Sequence, residues 1–435
     1  MKEGQAALDA ITDAVFAYKR GKKKTAPKRG TPPATDFDFY EFFAGGGLAR
    51  AGLGPRWRCL FANDFDLKKS VTYAENWGKD ALVTKDVGQI DVDELPGTPG
   101  LVWASFPCQD LSLAGMGAGL KGDRSGTFWP FWRLMEKLRA EKRGPSVIVL
   151  ENVCGTLTSH YGKDFTAIAD ALSKGDYRFG AVVIDASHFV PQSRPRLFIV
   201  AVEIGVSIPP NLLGVEASLL WHPKALQAAY LRLRGKAKEQ WVWWKLPAPP
   251  RRNTRFADLV EENPVSVTWH TPAETAKLLA MMNDLNFEKV TAAKKSGQLL
   301  VGTVYKRTRF DEEDAKVQRA EVRFDDIAGC LRTSTGGSSR QLVVVVKGSQ
   351  VRSRLMSSRE AARLMGLPDE YKLPKNYNKA YHLTGDGVVV PVVRYLAKNI
   401  LEPILANNAK AALSHATHHS ARACQRPTRT INQRR

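Results

Sequence analysis

The chain has 435 residues, of which 43% are hydrophobic and 25% charged, and its formal net charge at neutral pH is +20. This length predicts two or three domains with a substantial core, and the composition is that of an ordinary soluble globular protein. No apolar run reaches the roughly 18–20 residues of a membrane span, and the N-terminus lacks the apolar core of a signal peptide, so we expect a cytoplasmic protein without a membrane partner.

The cysteines and the basic excess narrow the class further. The five cysteines, at positions 59, 108, 154, 330 and 424, never form a CxxC pair, which argues against disulfides or a zinc site and favours a reducing compartment. Residues 1–35 carry eight Lys and Arg against three acids, and residues 407–435 carry six against none. A balance this basic predicts a polyanionic partner, most simply nucleic acid. For the tails alone, solubilisation is an equally good interpretation.

In chain order, a flexible basic leader over residues 1–35 gives way to the apolar run FDFYEFFAGGG at 37–47. Similar short runs follow, separated by segments with helical character. These runs lie at 59–62, 101–104, 146–150, 181–185 and 196–202. Unbroken apolar strands that alternate with helices predict a mostly parallel α/β sheet with helices on both faces, which we assign to residues 36–204.

The alternation of strands and helices stops after residue 204. Residues 205–345 are irregular and rich in Pro, Trp and basic side chains, which indicates a second, smaller domain, assigned to 205–382. The apolar segment at 388–406 predicts a long helix that docks back onto the first domain, and the C-terminal helix is assigned to 383–406. The basic tail at 407–435 is predicted to be disordered.

Glycines and carboxylates follow the first three predicted strands. The segment AGGGLARAG at 44–52 allows the backbone to approach a ligand closely, although Arg50 stands where a GxGxxG motif has its third glycine. Asp64 suits a ribose diol, Phe65 suits an adenine face, and Asp86 lies where the third strand should end. Together these residues predict an adenosine-containing cofactor. They do not separate methyl transfer from the hydride transfer of an NAD enzyme.

The later strand ends carry a different set of residues. Cys108, in SFPCQ, is placed as a nucleophile that acts as a thiolate beside the predicted cofactor. Glu151, in ENVCG at the next strand end, can reach the same cavity as a proton donor or hydrogen-bond partner. Arg194 and Arg196 stand two apart on a strand, so they share a face and suit paired contacts to a carbonyl, phosphate or carboxylate. A structural ion pair with a nearby acid is the alternative interpretation of the arginines.

Six short segments follow one another along the chain: FAGGG, NDFD, KDV, FPCQDLS, ENV and QSRPR. In their order and approximate spacing they resemble the motifs of the DNA (cytosine-5)-methyltransferases. The resemblance continues with LRTSTGGSSRQ at 331–341 and covers roughly residues 37–203 and 330–402. It implies a Rossmann-like, S-adenosylmethionine-dependent methyltransferase fold at 36–204 and an irregular target-recognition domain at 205–382. It also implies double-stranded DNA as partner, no metal, and a monomeric enzyme of the restriction-modification type that associates with the nucleoid.

The family mechanism assigns chemistry to the residues that match its motifs. The Cys108 thiolate adds to carbon 6 of a cytosine flipped out of the duplex, and carbon 5 then attacks the methyl group. Glu151 hydrogen-bonds ring nitrogen 3 and the exocyclic amine, Arg196 binds the carbonyl oxygen, and Arg194 supports the site. Gln109 begins the mobile loop that closes over the site.

The same resemblance implies further contacts and shows two departures. The expected S-adenosylmethionine contacts are Phe43, Ala44, Gly45, Gly47, Asp64, Phe65, Asp86, Pro107 and Asp386. The expected DNA contacts are Ser112, Lys121, Arg124, Gln192, Arg251, Arg252, Arg255, Arg332, Thr333 and Arg340. Leu48 stands where the family has the last glycine of FAGxGG, and Asp386 replaces the asparagine of GN[ST]V. The aspartate either brings a charge near the methionine end of the cofactor or lies away from it.

Other functions stay open at this point. The chain is alternatively a catalytically silent DNA-binding relative, an RNA cytosine-5 methyltransferase or, more distantly, an NAD oxidoreductase. Intact Cys108, Gln109, Glu151 and Arg196 argue against a silent protein, because a pure binding module needs none of the four. The large basic variable region, about 130 residues long, favours duplex DNA over RNA.

Overall fold

The computed structural model describes residues 36–107, 127–310, 313–332 and 340–409. Its larger sheet has seven strands in the order β3-β2-β1-β4-β5-β7-β6. These strands are β1 (Phe37–Phe42), β2 (Trp57–Asn63), β3 (Leu82–Val83), β4 (Leu101–Ala104), β5 (Val147–Val153), β6 (Tyr177–Asp185) and β7 (Pro195–Glu203). Strands β1 to β5 pair in parallel, whereas β7 lies antiparallel between β5 and β6. The prediction of a mostly parallel α/β sheet is therefore confirmed.

Helices cover both faces of the larger sheet, which is why its strands are apolar without alternation. The helices before residue 260 are α1 (Leu48–Leu53), α2 (Leu67–Trp77), α3 (Phe128–Ala140), α4 (Lys163–Lys174), α5 (Lys224–Arg232), α6 (Gly235–Glu239) and α7 (Phe256–Leu259). Helices α3 to α6 contribute to the core on one face. Helix α1 and the C-terminal helices contribute to the core on the other face.

A smaller antiparallel sheet has its own core. Its order is β11-β10-β12-β13, and its strands are β10 (Leu299–Phe310), β11 (Lys316–Arg323), β12 (Leu342–Lys347) and β13 (Gln350–Leu355). A third, two-stranded pairing joins β8 (Leu213–Gly214) to β9 (Trp243–Trp244). Helices α8 (Pro272–Ala280) and α9 (Asp284–Lys295) pack on the smaller sheet, and buried side chains such as Leu278 and Val290 fill the space between them.

The cores divide the chain differently from the sequence-based boundaries at 205 and 382. Buried side chains from Val206 to Val260 belong to the cores of the larger sheet, and so do side chains from Met356 onwards. The separate core extends only from Leu278 to Val346 among its buried members. We therefore propose that the target-recognition unit is narrower than 205–382, lying within about 262–355.

The C-terminal helices return to the larger sheet. They are α10 (Ser358–Leu364), α11 (Tyr377–Asp386) and α12 (Val390–Leu396), and a π-helical turn at Ala397–Leu401 continues α12 into helix 402–409. The apolar side chains of α12 and of the π-helical turn, among them Val392 and Ile400, belong to the same core as side chains of β1 and β4. Within the described ranges, none of the helices is long and apolar enough to cross a bilayer.

Candidate active site

The carboxyl ends of the parallel strands meet along one edge of the larger sheet, and most of the predicted site residues lie there. The glycine segment follows β1, Asp64 follows β2, Phe106 and Pro107 follow β4, and Glu151 lies near the end of β5. Strand β7 runs antiparallel to β5, so its first residues lie beside the last residues of β5, and Arg196 pairs with Val153. The fold thus brings residues from five strands to one edge.

Glu151 and Arg196, two of the predicted catalytic residues, form an ion pair at this edge. Arg196 Nε lies 3.4 Å from Glu151 Oε1, and both side chains are mostly buried, with exposed fractions of 16% and 8%. Arg196 also donates from Nη1 to the Pro195 carbonyl at 2.9 Å. In this arrangement the Glu151 carboxyl group can accept a hydrogen bond or donate a proton, and the Arg196 guanidinium beside it is a fixed hydrogen-bond donor. Such a pair can bind the edge of a planar amide-like ring.

Asn152 anchors the segment that leads from β4 towards Cys108. Its Nδ2 donates to the Phe106 carbonyl at 3.0 Å, and its Oδ1 accepts from the Val153 amide at 2.8 Å. Phe106 is buried and packs against Phe43 and Phe128. The backbone is therefore fixed two residues before Cys108 in the chain. Six predicted residues, Cys108, Gln109, Ser112, Lys121, Arg124 and Thr333, lie outside the described residues.

Arg194 is bonded to backbone groups of two distant segments rather than to Glu151. Its side chain is 2% exposed, and its Nη1 donates to the Leu331 carbonyl at 2.8 Å and to Cys330 Sγ at 3.3 Å. Its Nη2 donates to the carbonyls of Gly385 and Gly387 at 2.7 and 2.9 Å. Complete burial lowers the pKa of Arg194 to about 10, so the group stays charged at neutral pH. These hydrogen bonds join the segment of Arg194 to residues 330–331 and 385–387, and we propose that Arg194 is a positioning residue.

The pKa of Cys330 shows that the electrostatic potential around Arg194 and Arg196 is positive. Burial raises the pKa of its thiol, but the guanidinium groups of Arg194, Arg196 and Arg332 outweigh burial, and the pKa lies below its ordinary value. The same field favours any group that develops negative charge near Arg196, because opposite charges stabilise the ionised form. Nothing in the sequence around Cys330 indicates that Arg194, 136 positions away, lies beside it.

Asp64 is the best-defined residue on the cofactor side. It is 6% exposed, its Oδ2 accepts from the Gly45 amide, and its Oδ1 accepts from the Asp66 amide, both at 2.8 Å. Burial raises the pKa of this carboxyl group, and the Lys69 ammonium partly offsets that effect. Two backbone donors orient the carboxylate and leave acceptor sites for hydroxyl groups.

The other predicted cofactor residues surround Asp64. The Phe65 ring is 67% exposed, as a surface for a planar ring must be, and Asp86 is exposed and accepts from the Gly88 amide at 2.8 Å. Phe43 has a left-handed backbone with φ of 57°, which is unfavourable for a bulky residue. Strained backbone of this kind persists where the surroundings hold it, and it is concentrated at functional sites.

The glycine segment is held from behind by two aromatic side chains that the sequence did not indicate. Trp77 Nε1 and Tyr371 Oη both donate to the Gly46 carbonyl, at 3.0 and 2.7 Å. A Cβ atom at Gly46 would lie 2.4 Å from Tyr371 Oη, and one at Gly47 would lie 2.3 Å from Trp77 Nε1. In contrast, a Cβ at Gly45 would meet nothing within 4 Å. The segment is therefore packed on one side and open at Gly45.

Asp386, the predicted cofactor contact at the end of α11, is paired within the protein. Its Oδ2 lies 2.8 Å from Lys69 Nζ, so the charge that departs from the family pattern has a counter-charge. No sequence signal pointed to Lys69, because the two residues lie 317 positions apart.

The predicted DNA contacts fall into two groups. Gln192 is fully buried; its Nε2 donates to the Leu364 carbonyl and its Oε1 accepts from the Leu331 amide, so both ends of its amide group are bonded within the protein. We propose that Gln192 holds the backbone beside the site. The five described arginines of this set are at least partly accessible. Arg251, Arg255 and Arg332 are exposed, Arg252 pairs with Asp326 at 3.5 Å, and Arg340 donates to Asn378.

Within the described ranges, no group of three His, Cys, Asp or Glu side chains is arranged to hold a metal ion. The carboxyl edge combines the Asp64 carboxylate, bonded to the Gly45 amide, with the Glu151–Arg196 ion pair at β5 and β7.

Comparison with known proteins points to one family. The model of the C-5 cytosine-specific DNA methylase family matches residues 37–402. The chain is 25% identical over 368 residues to the Type II methyltransferase M.HhaI of Haemophilus parahaemolyticus, covering 84% of this chain and 94% of that one. It is 26% identical over 392 residues to M.HpaII of Haemophilus parainfluenzae, covering 85% and 90%. A DNMT2 mutant from Spodoptera frugiperda, 16% identical, shares the fold with a TM-score of 0.54 over 83% of this chain and 99% of that one.

Proposed function

Since this chain belongs to the C-5 cytosine-specific DNA methylase family and is a DNA methyltransferase, we propose that it methylates carbon 5 of cytosine in a specific sequence of double-stranded DNA, with S-adenosylmethionine as donor. The observation that carries the proposal is the Glu151–Arg196 pair, which lies on the same sheet edge as the cradle formed by Asp64 and Gly45. A base and a methyl donor held at these two places would share one cavity.

On the substrate side, each residue has a separate task. The Cys108 thiolate adds to carbon 6 of the flipped cytosine, which gives carbon 5 the electron density of an enamine. Glu151 donates to or protonates ring nitrogen 3 as negative charge develops there, and Arg196 binds the carbonyl oxygen. After methyl transfer a base removes the carbon 5 proton, and Cys108 leaves with the electron pair of its bond to carbon 6. The flip itself costs a few kcal/mol of stacking and pairing.

On the cofactor side, the described residues fit an adenosine group. The open space at Gly45 admits a ligand close to the backbone, and the oriented carboxylate of Asp64 can accept from two ribose hydroxyls. The exposed ring of Phe65 suits one adenine face. When bound, S-adenosylmethionine supplies an electrophilic methyl group on a sulfonium. The chain's own contribution is to hold that group near the Glu151 side of the edge.

The remaining features of the proposal concern partner and context. The exposed arginines at 251, 255 and 332 suit phosphate contacts, which position a duplex without reading its sequence. We further propose that the enzyme acts as a monomer in the cytoplasm at the nucleoid, as the modification half of a restriction-modification pair.

One assay separates the candidate functions. The protein is incubated with tritiated S-adenosylmethionine and either duplex DNA or tRNA, and label in the nucleic acid is counted. We expect label in DNA alone; label only in tRNA would identify an RNA methyltransferase. Absence of label from both would refute the enzyme proposal and leave a silent DNA-binding relative.

A second assay tests the covalent step independently. Duplex DNA that carries 5-fluorocytosine at the target position lacks the removable carbon 5 proton, so the adduct accumulates. We expect a covalent complex with the native chain and none with Cys108→Ser. A complex of equal yield with Cys108→Ser would show that another group is the nucleophile. Bisulfite sequencing of methylated DNA then gives the recognised sequence.

A further inference from the structure

Leu48 and Gly387, which are far apart in the chain, are in direct contact beside the cofactor cradle. A Cβ atom at Gly387 would lie 2.5 Å from Leu48 Cδ2, which is closer than two carbon atoms can approach. The backbone does not require glycine here, because φ of −72° and ψ of 166° at Gly387 are open to any residue. Leu48 is 2% exposed and therefore has little room to move away. Leu48 would make the closest contact with a side chain at 387, and the Leu383 carbonyl oxygen, 3.2 Å from the same Cβ position, would make a second, weaker one.

A second contact joins the same two regions through charge. The Lys69 ammonium on α2 lies 2.8 Å from the Asp386 carboxylate, and the two side chains are 23% and 45% exposed. Lys69 also interacts with Asp64 and Asp66. Burial lowers the pKa of Lys69, but the surrounding carboxylates outweigh that effect and keep the amine protonated. One ammonium thus neutralises carboxylates on both sides of the cradle.

These contacts form a closed circuit around the glycine segment. Gly45 donates to Asp64, Lys69 lies between Asp64 and Asp386, and Gly387 touches Leu48, which follows Gly47 in the chain. Arg194 fixes the carbonyls on either side of Asp386. Both departures from the family pattern, at positions 48 and 386, therefore belong to one local arrangement.

We propose that Leu48 and Lys69 are cofactor-positioning residues, which hold the segment 385–387 against the glycine segment and so set the affinity for the methyl donor. The proposal rests on the proposed use of S-adenosylmethionine. Without Lys69, the carboxylates of Asp64 and Asp386 repel each other, and the segment moves away from the cradle. With a side chain at 387, Leu48 and the glycine segment must shift.

The first test is a double-mutant cycle on Leu48→Ala and Gly387→Ala, read as the Kd for S-adenosylhomocysteine by calorimetry on the full chain without DNA. Overpacking of this kind has a cost that raises the Kd about fivefold or more for Gly387→Ala. In the Leu48→Ala background the same change should raise the Kd less than twofold, because the obstructing Cδ2 atom is gone. Equal effects in both backgrounds would overturn the steric part of the proposal. Urea unfolding of each variant verifies that it is folded under the calorimetric conditions.

The second test uses charge and does not depend on a change in packing. We expect Lys69→Met to raise the Kd by about two- to fivefold, as an ion pair of this exposure allows, and Lys69→Arg to retain the native Kd. The Lys69→Met and Asp386→Asn double variant should bind better than the sum of the single effects predicts. Lys68→Met, at the exposed neighbouring position of the same helix, is the matched control and should leave the Kd unchanged.

The outcomes separate this proposal from the proposed function. If the native chain binds S-adenosylhomocysteine but Lys69→Met binds equally well, or no more weakly than Lys68→Met, Lys69 is not a positioning residue. Additive effects in both cycles would refute the circuit as a whole. If the native chain itself does not bind S-adenosylhomocysteine, the cofactor assignment fails instead.

Discussion

The neighbouring arginines Arg194 and Arg196 give the sharpest test of how this site is built. Arg194 donates to three backbone carbonyls in two distant segments, whereas Arg196 faces Glu151 at the sheet edge. We expect Arg194→Met to lower the free energy of unfolding severely. Arg196→Met should reduce methyl transfer with a smaller loss of stability, because that side chain makes fewer contacts within the fold.

The size of the Arg194 effect follows from its hydrogen bonds. Two of its bonds to carbonyls, those to Leu331 and Gly385, are fully buried. An orphaned buried acceptor costs about 1–3 kcal/mol, so the two together cost about 2–6 kcal/mol. Relief of the desolvation penalty of the buried guanidinium offsets part of this loss, which gives an expected destabilisation of about 2–4 kcal/mol.

The assay is urea unfolding of both variants beside the native chain, together with single-turnover methylation at saturating DNA. If the free energy of unfolding falls by about 3 kcal/mol per molar urea, the urea concentration at the unfolding midpoint should be lower by about 1 M in Arg194→Met. A midpoint that stays at the native value, combined with complete loss of the methylation rate, would refute the positioning role. That result would indicate that Arg194 contacts the substrate directly.

Three further predictions follow from buried ionisable groups. Glu151→Gln should lower the single-turnover methylation rate by about 10²–10⁴-fold and leave the Kd for S-adenosylhomocysteine unchanged. A raised Kd would contradict the assignment of Glu151 to the substrate side. Burial raises the pKa of Glu41 to about 8 from its ordinary value of 4.5. Between these two pH values the folded protein keeps a proton on Glu41 that the unfolded chain has released. The free energy of unfolding therefore falls as pH rises towards 8, by up to about 1.4 kcal/mol per pH unit. Glu41→Gln should remove this slope, and an equal gain in urea midpoint at pH 5.5 and 7.5 would disprove it. Arg354 and Glu360 form a bidentate, fully buried ion pair between β13 and α10; Arg354→Met should cost about 3–5 kcal/mol, with partial recovery on adding Glu360→Gln, and purely additive costs would count against the pair.

The order of the motifs was enough to predict the sheet edge and most of its residues. Asp64 follows an apolar strand and Glu151 lies near the end of another, and the ends of neighbouring parallel strands must meet at one edge. Arg196 reaches the same edge because it lies at the start of β7, which runs antiparallel to β5. The predicted cavity therefore needed no knowledge of distances. The helix predicted at 388–406 also follows from a local property, the apolar pattern along its length.

The sequence alone did not indicate which residues have hydrogen-bond partners far along the chain. Gln192 and Arg194 look like exposed polar residues in a basic motif, yet their partners are 137 to 193 positions away in the hydrogen bonds to Leu331 and Gly387. The narrower extent that we propose for the second unit likewise depends on packing between distant residues. The irregular composition after residue 204 does not indicate that Val206 to Val260 pack onto the larger sheet.

What the sequence determined by itself was the chemistry available at the carboxyl edge, because strand period and motif order are local properties. Only the tertiary structure decided which side chains remain open at that edge and which hold the backbone. It paired Lys69 with Asp386 and fitted Leu48 against Gly387. Both contacts join residues more than 300 positions apart, and close packing and charge neutralisation between such residues depend on the folded arrangement rather than on any local pattern.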